Sequence, residues 1–91
     1  MKILPQTLRK NGFIYSQVLR GKKALIYKQR ISDTEVHFEV FHLKVKPERR
    51  IEGKILESTE VFPHNEAFGI WAWTYRDYED AFNKWKTIED K

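Results

Sequence analysis

The chain contains no cysteine, so it can form neither a disulfide nor a cysteine-ligated zinc site. Nothing in its composition therefore indicates an oxidising compartment. No apolar run approaches the length that a membrane span requires. Pro5, Gln6 and Arg9 interrupt the apolar residues near the N-terminus, so we expect no signal peptide. Together these absences predict a cytoplasmic protein.

Acidic residues are missing from the first third of the chain. Residues 1–30 contain eight lysines or arginines and no aspartate or glutamate, whereas residues 31–91 contain nine basic residues and all thirteen acids. A charge split between two parts of a chain is a hint of a surface that binds a polyanion. The 91 residues, 41% hydrophobic and 33% charged, are typical of one folded domain, residues 1–91.

Apolar and β-branched residues predict several strands. FIYSQVLR (13–20) and KALIYKQR (23–30) flank a turn at Gly21 and Lys22, which indicates a hairpin. VHFEVFHLKV (36–45) is the clearest strand, but its alternation changes phase between Val40 and Phe41. Either a β-bulge or a strand buried on both faces would explain that change.

The segments outside these strands have less regular patterns, and the C-terminal part of the chain predicts a helix. We expect a short helical turn at residues 5–10, a charged loop at 47–53 (PERRIEG) and a weaker strand at 54–62. Residues 70–75 (IWAWTY) are interpreted as a fifth strand or as the entry into a helix. That helix follows Asp77 as its N-cap, because one apolar stripe then contains Tyr78, Ala81, Phe82, Trp85 and Ile88.

These elements predict an α+β fold, a small twisted antiparallel sheet of four to five strands with one C-terminal helix packed on one face. Trp71 and Trp73 are two residues apart and would share one face of a strand. They would either pack with Trp85 under the helix, which we favour, or form a platform for stacked bases. The residues expected in the core are Phe38, Val40, Phe41, Leu43, Trp73, Phe82, Trp85 and Ile88.

The stretch PHNEAFGIWAW (63–73), followed by a short charged helix, resembles small uncharacterised phage and mobile-element proteins. LPQTLRKNGFIY (4–15) and EVHFEVFHLKV (35–45) are similar to the same group, so the resemblance spans most of the chain. It implies a prokaryotic or viral cytoplasmic setting and an accessory binding protein rather than a metabolic enzyme. The group has no established activity, so the resemblance assigns no role to any residue.

No pattern indicates catalysis or a cofactor. The serines lie in no nucleophile-elbow pattern, and the four glycines lack phosphate-cradling spacing. His37 and His42 are five apart, so only a bulge would align them into a metal site with Glu35 or Glu39.

The paired carboxylates, Glu57 with Glu60 and Glu79 with Asp80, are interpreted as solvated faces. We therefore expect no enzymatic activity, no cofactor and no metal.

The basic hairpin is the strongest functional feature, because two-stranded ribbons can enter a DNA groove and basic sheets can hold single strands. We expect an accessory protein that binds nucleic acid through Arg9, Lys10, Arg20, Lys22, Lys23, Lys28 and Arg30. Such residues on an edge hairpin could instead only prevent sheet-to-sheet aggregation. A second basic patch is interpreted as an ordinary charged loop and comprises Lys44, Lys46, Arg49 and Arg50.

The alternative function is a protein–protein interaction module, for example an inhibitor of a host protein. Its candidate contacts would be exposed aromatic side chains at Tyr15, Tyr27, Phe62 or Phe68. Convergence of the seven basic residues on one carboxylate-free face would favour nucleic acid. Scattered basic residues with an exposed apolar patch would favour a protein partner. An open sheet edge also makes a homodimer possible.

Overall fold

The structure is a computed structural model that describes all 91 residues. Nine strands, one α-helix and a short 3₁₀ helix at Asn65–Ala67 form the fold. The strands are β1 (Thr7–Lys10), β2 (Phe13–Arg20), β3 (Ala24–Arg30), β4 (Val36–His42), β5 (Val45–Lys46), β6 (Arg49–Ile51), β7 (Lys54–Leu56), β8 (Thr59–Glu60) and β9 (Ala72–Tyr75). The helix α1 spans Tyr78–Glu89.

Five strands form one antiparallel sheet in the order β1-β2-β3-β4-β9, and α1 packs against β3, β4 and β9. This arrangement confirms the expected α+β fold and the predicted hairpin of β2 and β3. Two small sheets lie outside the main one, and each pairs only two strands: β5 with β8, and β6 with β7.

The helical turn expected at residues 5–10 is wrong, because Thr7–Lys10 is the edge strand β1. Asn11 and Gly12 connect β1 to β2 with φ angles of 53° and 83°. Two successive positive φ angles are what a tight hairpin turn of the type I′ kind requires, and Asn-Gly is its preferred sequence. The turn therefore directs residues 7–10 back along β2.

The phase change in β4 comes from burial on both faces, which confirms the second of the two explanations and excludes a β-bulge at Val40 and Phe41. β4 stays in register with β3 and with β9 through both residues. Val40 faces α1, whereas Phe41 faces the other side of the sheet. The irregularity in the sheet lies instead in β2, between Gln17 and Leu19.

Both faces of the sheet carry a hydrophobic cluster. The helix-side cluster comprises Ala24, Ile26, Val40, Ala81 and Ile88. The opposite cluster comprises Leu4, Tyr15, Leu25, Tyr27, Phe41, Ala67 and Ala72. Phe62, Phe68 and Trp71 pack on that second cluster. The segment before β9 therefore covers the face opposite the helix, for which the sequence predicted no covering element.

The two tryptophans lie on opposite sides of the sheet, so their expected shared face is wrong. Trp73 belongs to β9 and packs with Trp85 on the helix side. Trp71 precedes the strand, in a turn where its N–H donates to the carbonyl of Ala67 at 2.9 Å. That turn directs its ring onto Phe41, with 6.4 Å between the ring centroids.

The helix starts at the expected place, but its buried stripe is narrower than predicted. Ala81 and Ile88 are buried, and Trp85 Nε1 donates to the carbonyl of Ala24 at 2.9 Å. Phe82 is 37% exposed, which corrects its assignment to the core. Small Ala81 brings the helix close to the sheet, and the larger rings remain at its side.

The charged loop expected at 47–53 and the single strand expected at 54–62 are both wrong. β6 and β7 form a hairpin, with Glu52 and Gly53 at its turn and φ angles of 49° and 79°. Every residue from 44 to 57 is exposed, and we call this segment the arm. The radius of gyration is 14.2 Å, against about 12 Å for a compact chain of this length. The arm therefore extends away from the main sheet.

Candidate binding surfaces

Three of the predicted basic residues share the helix-side face of the sheet, in the half that α1 leaves uncovered. Lys28 pairs with Phe38, and Arg30 pairs with Val36. Arg9 lies on the same face, because both Arg9 and Arg30 pair with Ile14. A depression of about 320 Å³ is lined by Ile14, Ser16, Lys28, Arg30, Ser32, Asp33 and Val36.

This face is not free of carboxylates. Arg30 Nη2 lies 2.6 Å from Asp33 Oδ1, an exposed ion pair that contributes little to stability but offsets one positive charge.

Lys10 and Arg20 lie on the opposite side of the sheet and are engaged within the chain. Lys10 Nζ donates to the carbonyl of Pro63 at 2.6 Å and lies 5.1 Å from the ring centroid of Phe62. Arg20 donates to both oxygens of the buried Glu60 carboxylate, at 3.0 and 2.7 Å. These contacts give both side chains a structural role.

Lys22 and Lys23 lie at the tip of the β2–β3 hairpin, next to the end of α1. The carboxylate of Glu89 accepts their backbone N–H groups at 3.0 and 2.6 Å, and that of Ala24 at 2.7 Å. Glu89 also packs closely on Gly21, where a Cβ atom would collide with it. The two lysine side chains are exposed, but a carboxylate lies directly beneath them.

The seven residues are thus divided among three places, and they do not converge on one carboxylate-free face. The aromatic contacts expected for a protein partner also differ from the prediction. Tyr15 and Tyr27 are core residues, exposed by only 4% and 0%, and Phe62 packs against both rings. Phe68 is half-buried on the same cluster.

The arm combines apolar and basic side chains in every rung of its hairpin. Its cross-strand pairs are Arg49 with Leu56, Arg50 with Ile55, and Ile51 with Lys54. Its three apolar residues are partly exposed: 41% for Leu56, 59% for Ile55 and 46% for Ile51. None of the basic side chains of the arm takes part in an ion pair.

The sequence contained a signal for this hairpin that we missed. Glu-Gly at 52–53 is flanked by two short apolar–basic runs, but glutamate is an unusual residue at a position of positive φ.

The histidines do not form a metal site, since no group of three histidine, aspartate or glutamate side chains lies close enough to hold an ion. His37 Nε2 lies 2.8 Å from Glu35 Oε2. His42 lies on the other face, where its ring centroid is 5.7 Å from that of Trp73.

The 12-residue helix α1 is not long and apolar enough to cross a membrane.

Two carboxylates that belong to strands are buried. Glu60, interpreted as part of a solvated pair with Glu57, is only 7% exposed, and Glu39 is 6% exposed.

Comparison with protein families, with curated proteins and with solved structures yields no match for this chain.

Proposed function

We propose that this protein is a non-enzymatic binding protein whose arm docks on a partner protein. The observation that carries the proposal is the exposure of Ile51 and Leu56, which the strand register places on one face of a hairpin whose strands pair only with each other. An isolated two-stranded hairpin is marginally stable in water, and exposed apolar clusters mark interaction surfaces. Packing against a partner would both order the arm and bury these side chains.

The charges of the arm define the partner further. Arg49 and Lys54 lie on the same face of the hairpin as Ile51 and Leu56, and neither forms an ion pair. A matching surface would have an apolar centre and a rim of carboxylates, the usual arrangement of protein interfaces. Glu52 at the turn would approach phosphates if the arm entered a nucleic-acid groove, which favours a protein partner.

A cross-linking experiment identifies that partner. A photoreactive amino acid replaces Ile51 in the full chain, and the partner that it captures in cells is purified for titration calorimetry. Leu56→Asp, on the same face of the hairpin as Ile51, is expected to weaken the complex at least tenfold, which corresponds to about 1.4 kcal/mol. Ile70→Asp is the matched control, because Ile70 is 74% exposed but lies outside the arm.

Because both side chains are exposed, we expect both variants to keep the fold of the main sheet. Equal affinities of the two variants for the captured protein would refute docking through the arm. Capture of a second copy of this chain would show that the partner is the protein itself, and sedimentation of the Leu56→Asp variant as a monomer would then support the arm as the dimer interface.

Nucleic acid is a second candidate, supported by the shared face of Arg9, Lys28 and Arg30. Three phosphate contacts would give log K a slope of about −2 against log salt for a single strand. Fluorescence anisotropy of labelled single-stranded and duplex oligonucleotides tests it, with Lys28→Glu/Arg30→Glu as the variant and Lys22→Glu/Lys23→Glu as the control. Binding that weakens with salt and is lost only in the first variant would support this face. Absence of binding at low salt would eliminate it.

A further inference from the structure

A cavity of about 190 Å³ lies on the side of the sheet opposite α1, away from the arm's exposed hairpin. The sheet forms one wall, and Phe62 and Phe68 form the other. Four polar side chains of the strands line it: Lys10 from β1, Tyr15 from β2, Gln29 from β3 and Glu39 from β4.

Glu39 is the unusual member of this group. Its side chain is 94% buried, and its Oε1 atom has no hydrogen-bond partner in the protein. Burial raises the pKa of this carboxyl to about 7, although the charge of Lys10 lowers it. Buried polar groups are nearly always hydrogen-bonded, so this oxygen is an acceptor placed to meet a donor inside the cavity.

Donors line the same cavity. Lys10 Nζ uses one of its three N–H groups on the carbonyl of Pro63, at 2.6 Å. The Tyr15 hydroxyl oxygen accepts a hydrogen bond from Gln29 Nε2 at 2.9 Å, which leaves its own hydrogen free to donate. The cavity therefore presents an acidic acceptor and a cationic donor to one small volume.

We propose that this cavity binds a small zwitterion of amino-acid size, with its ammonium group at Glu39 and its carboxylate at Lys10. A simple amine would meet the positive charge of Lys10, and a simple carboxylate would meet Glu39, whereas a zwitterion matches both. The cavity volume of about 190 Å³ suits an amino acid with a small side chain. The inference does not depend on the proposed function of the arm.

The test is an NMR titration of the full ¹⁵N-labelled chain with a panel of free L-amino acids, and with methylamine and acetate as single-charge probes. We expect saturable shifts at Gln29 and Glu39 with one or more small amino acids, and much weaker shifts with methylamine or acetate. Glu39→Gln keeps the shape of the side chain but removes its charge, and Lys10→Met keeps the stem. Each substitution should weaken the binding at least tenfold.

The proposal is overturned if no amino acid gives saturable shifts, or if methylamine or acetate binds as tightly as the zwitterions. It is also overturned if binding survives unchanged in both variants. Because the probe panel uses the unmodified protein, a folding defect in either variant does not leave the proposal untested.

Discussion

Glu39 and Glu60 are equally buried carboxylates on the same side of the main sheet, but their surroundings are opposite. Glu60 accepts two hydrogen bonds from Arg20 and one from the backbone N–H of Leu4 at 2.8 Å. The Arg20 hydrogen bonds, with that of Leu4, lower the pKa of Glu60 despite its burial. Glu39 has no such donors, and burial raises its pKa to about 7. Burial alone therefore does not distinguish a structural carboxylate from one available to a ligand; the donors around it do.

Breaking the Glu60 site should give the largest effect on stability. Arg20→Met removes the bidentate partner and leaves a buried carboxylate with one N–H donor. We expect a loss of about 3–5 kcal/mol in the free energy of unfolding, because an uncompensated buried charge is costly. Urea denaturation at neutral pH measures it, and Arg9→Met serves as the control, since Arg9 is exposed and forms no ion pair. A loss below about 1 kcal/mol would mean that water reaches Glu60 and that the two sites are alike.

Removing the charge of Glu39 should raise the free energy of unfolding at neutral pH, whereas Arg20→Met should lower it. Its folded pKa lies above the ordinary value of 4.5, so the native state binds more protons and the wild type loses stability as pH rises from about 4.5 to about 7. At about 1.4 kcal/mol per pKa unit, that loss reaches up to about 3 kcal/mol. The variant Glu39→Gln has no carboxyl group to titrate at this position, so it does not undergo this loss of stability.

Chemical denaturation of the wild type and of Glu39→Gln across this pH range measures the difference. The variant should gain stability relative to the wild type as pH rises, and the gain should level off above about pH 7. A constant difference across the range would show that Glu39 titrates like an exposed carboxylate and that the comparison with Glu60 is mistaken.

Neither carboxylate could be assigned from the sequence, and the reason is physical. Glu39 alternates with Phe38 and Val40, and such a pattern indicates a solvent-facing residue on a half-buried strand. Its burial depends on residues 62–68, which fold over the sheet from more than twenty positions away along the chain. The buried carboxylate of Glu60 is paired with Arg20, which lies forty residues away along the chain. Local periodicity carries no information about either contact.

The same limit explains which parts of the fold were predicted. The hairpin of β2 and β3, the strand β4 and the helix α1 follow from local alternation and a local apolar stripe. All three are confirmed, although β4 ends at His42 and not at residue 45. The covering of the second face and the position of Trp71 depend on how distant segments pack, so the sequence pattern did not reveal them. The basic residues likewise alternate between faces, and local sequence does not show which of them meet an acid.

The acid limb of the stability curve offers a smaller test of the Glu60 site. Since the folded pKa of Glu60 is depressed below 4.5, its stabilisation is present above that value and is lost as pH falls through the folded pKa. In Arg20→Met, this limb should shrink, because the hydrogen bonds of Arg20 are the main cause of the lowered pKa of Glu60. Parallel acid limbs in the two proteins would assign the acid sensitivity to other carboxylates.

The smallest expected change is a shift in the titration of Glu39. The ammonium group of Lys10 lowers the pKa of Glu39, so Lys10→Met should raise it above about 7. ¹³C NMR of the Glu39 carboxyl measures the shift directly. Lys28→Met is the matched control, because Lys28 lies on the other face of the sheet, beside Phe38, and should leave the pKa unchanged. An unchanged pKa in Lys10→Met would mean that the charge of Lys10 does not act on Glu39. The cavity would then lack the cation that a bound carboxylate requires.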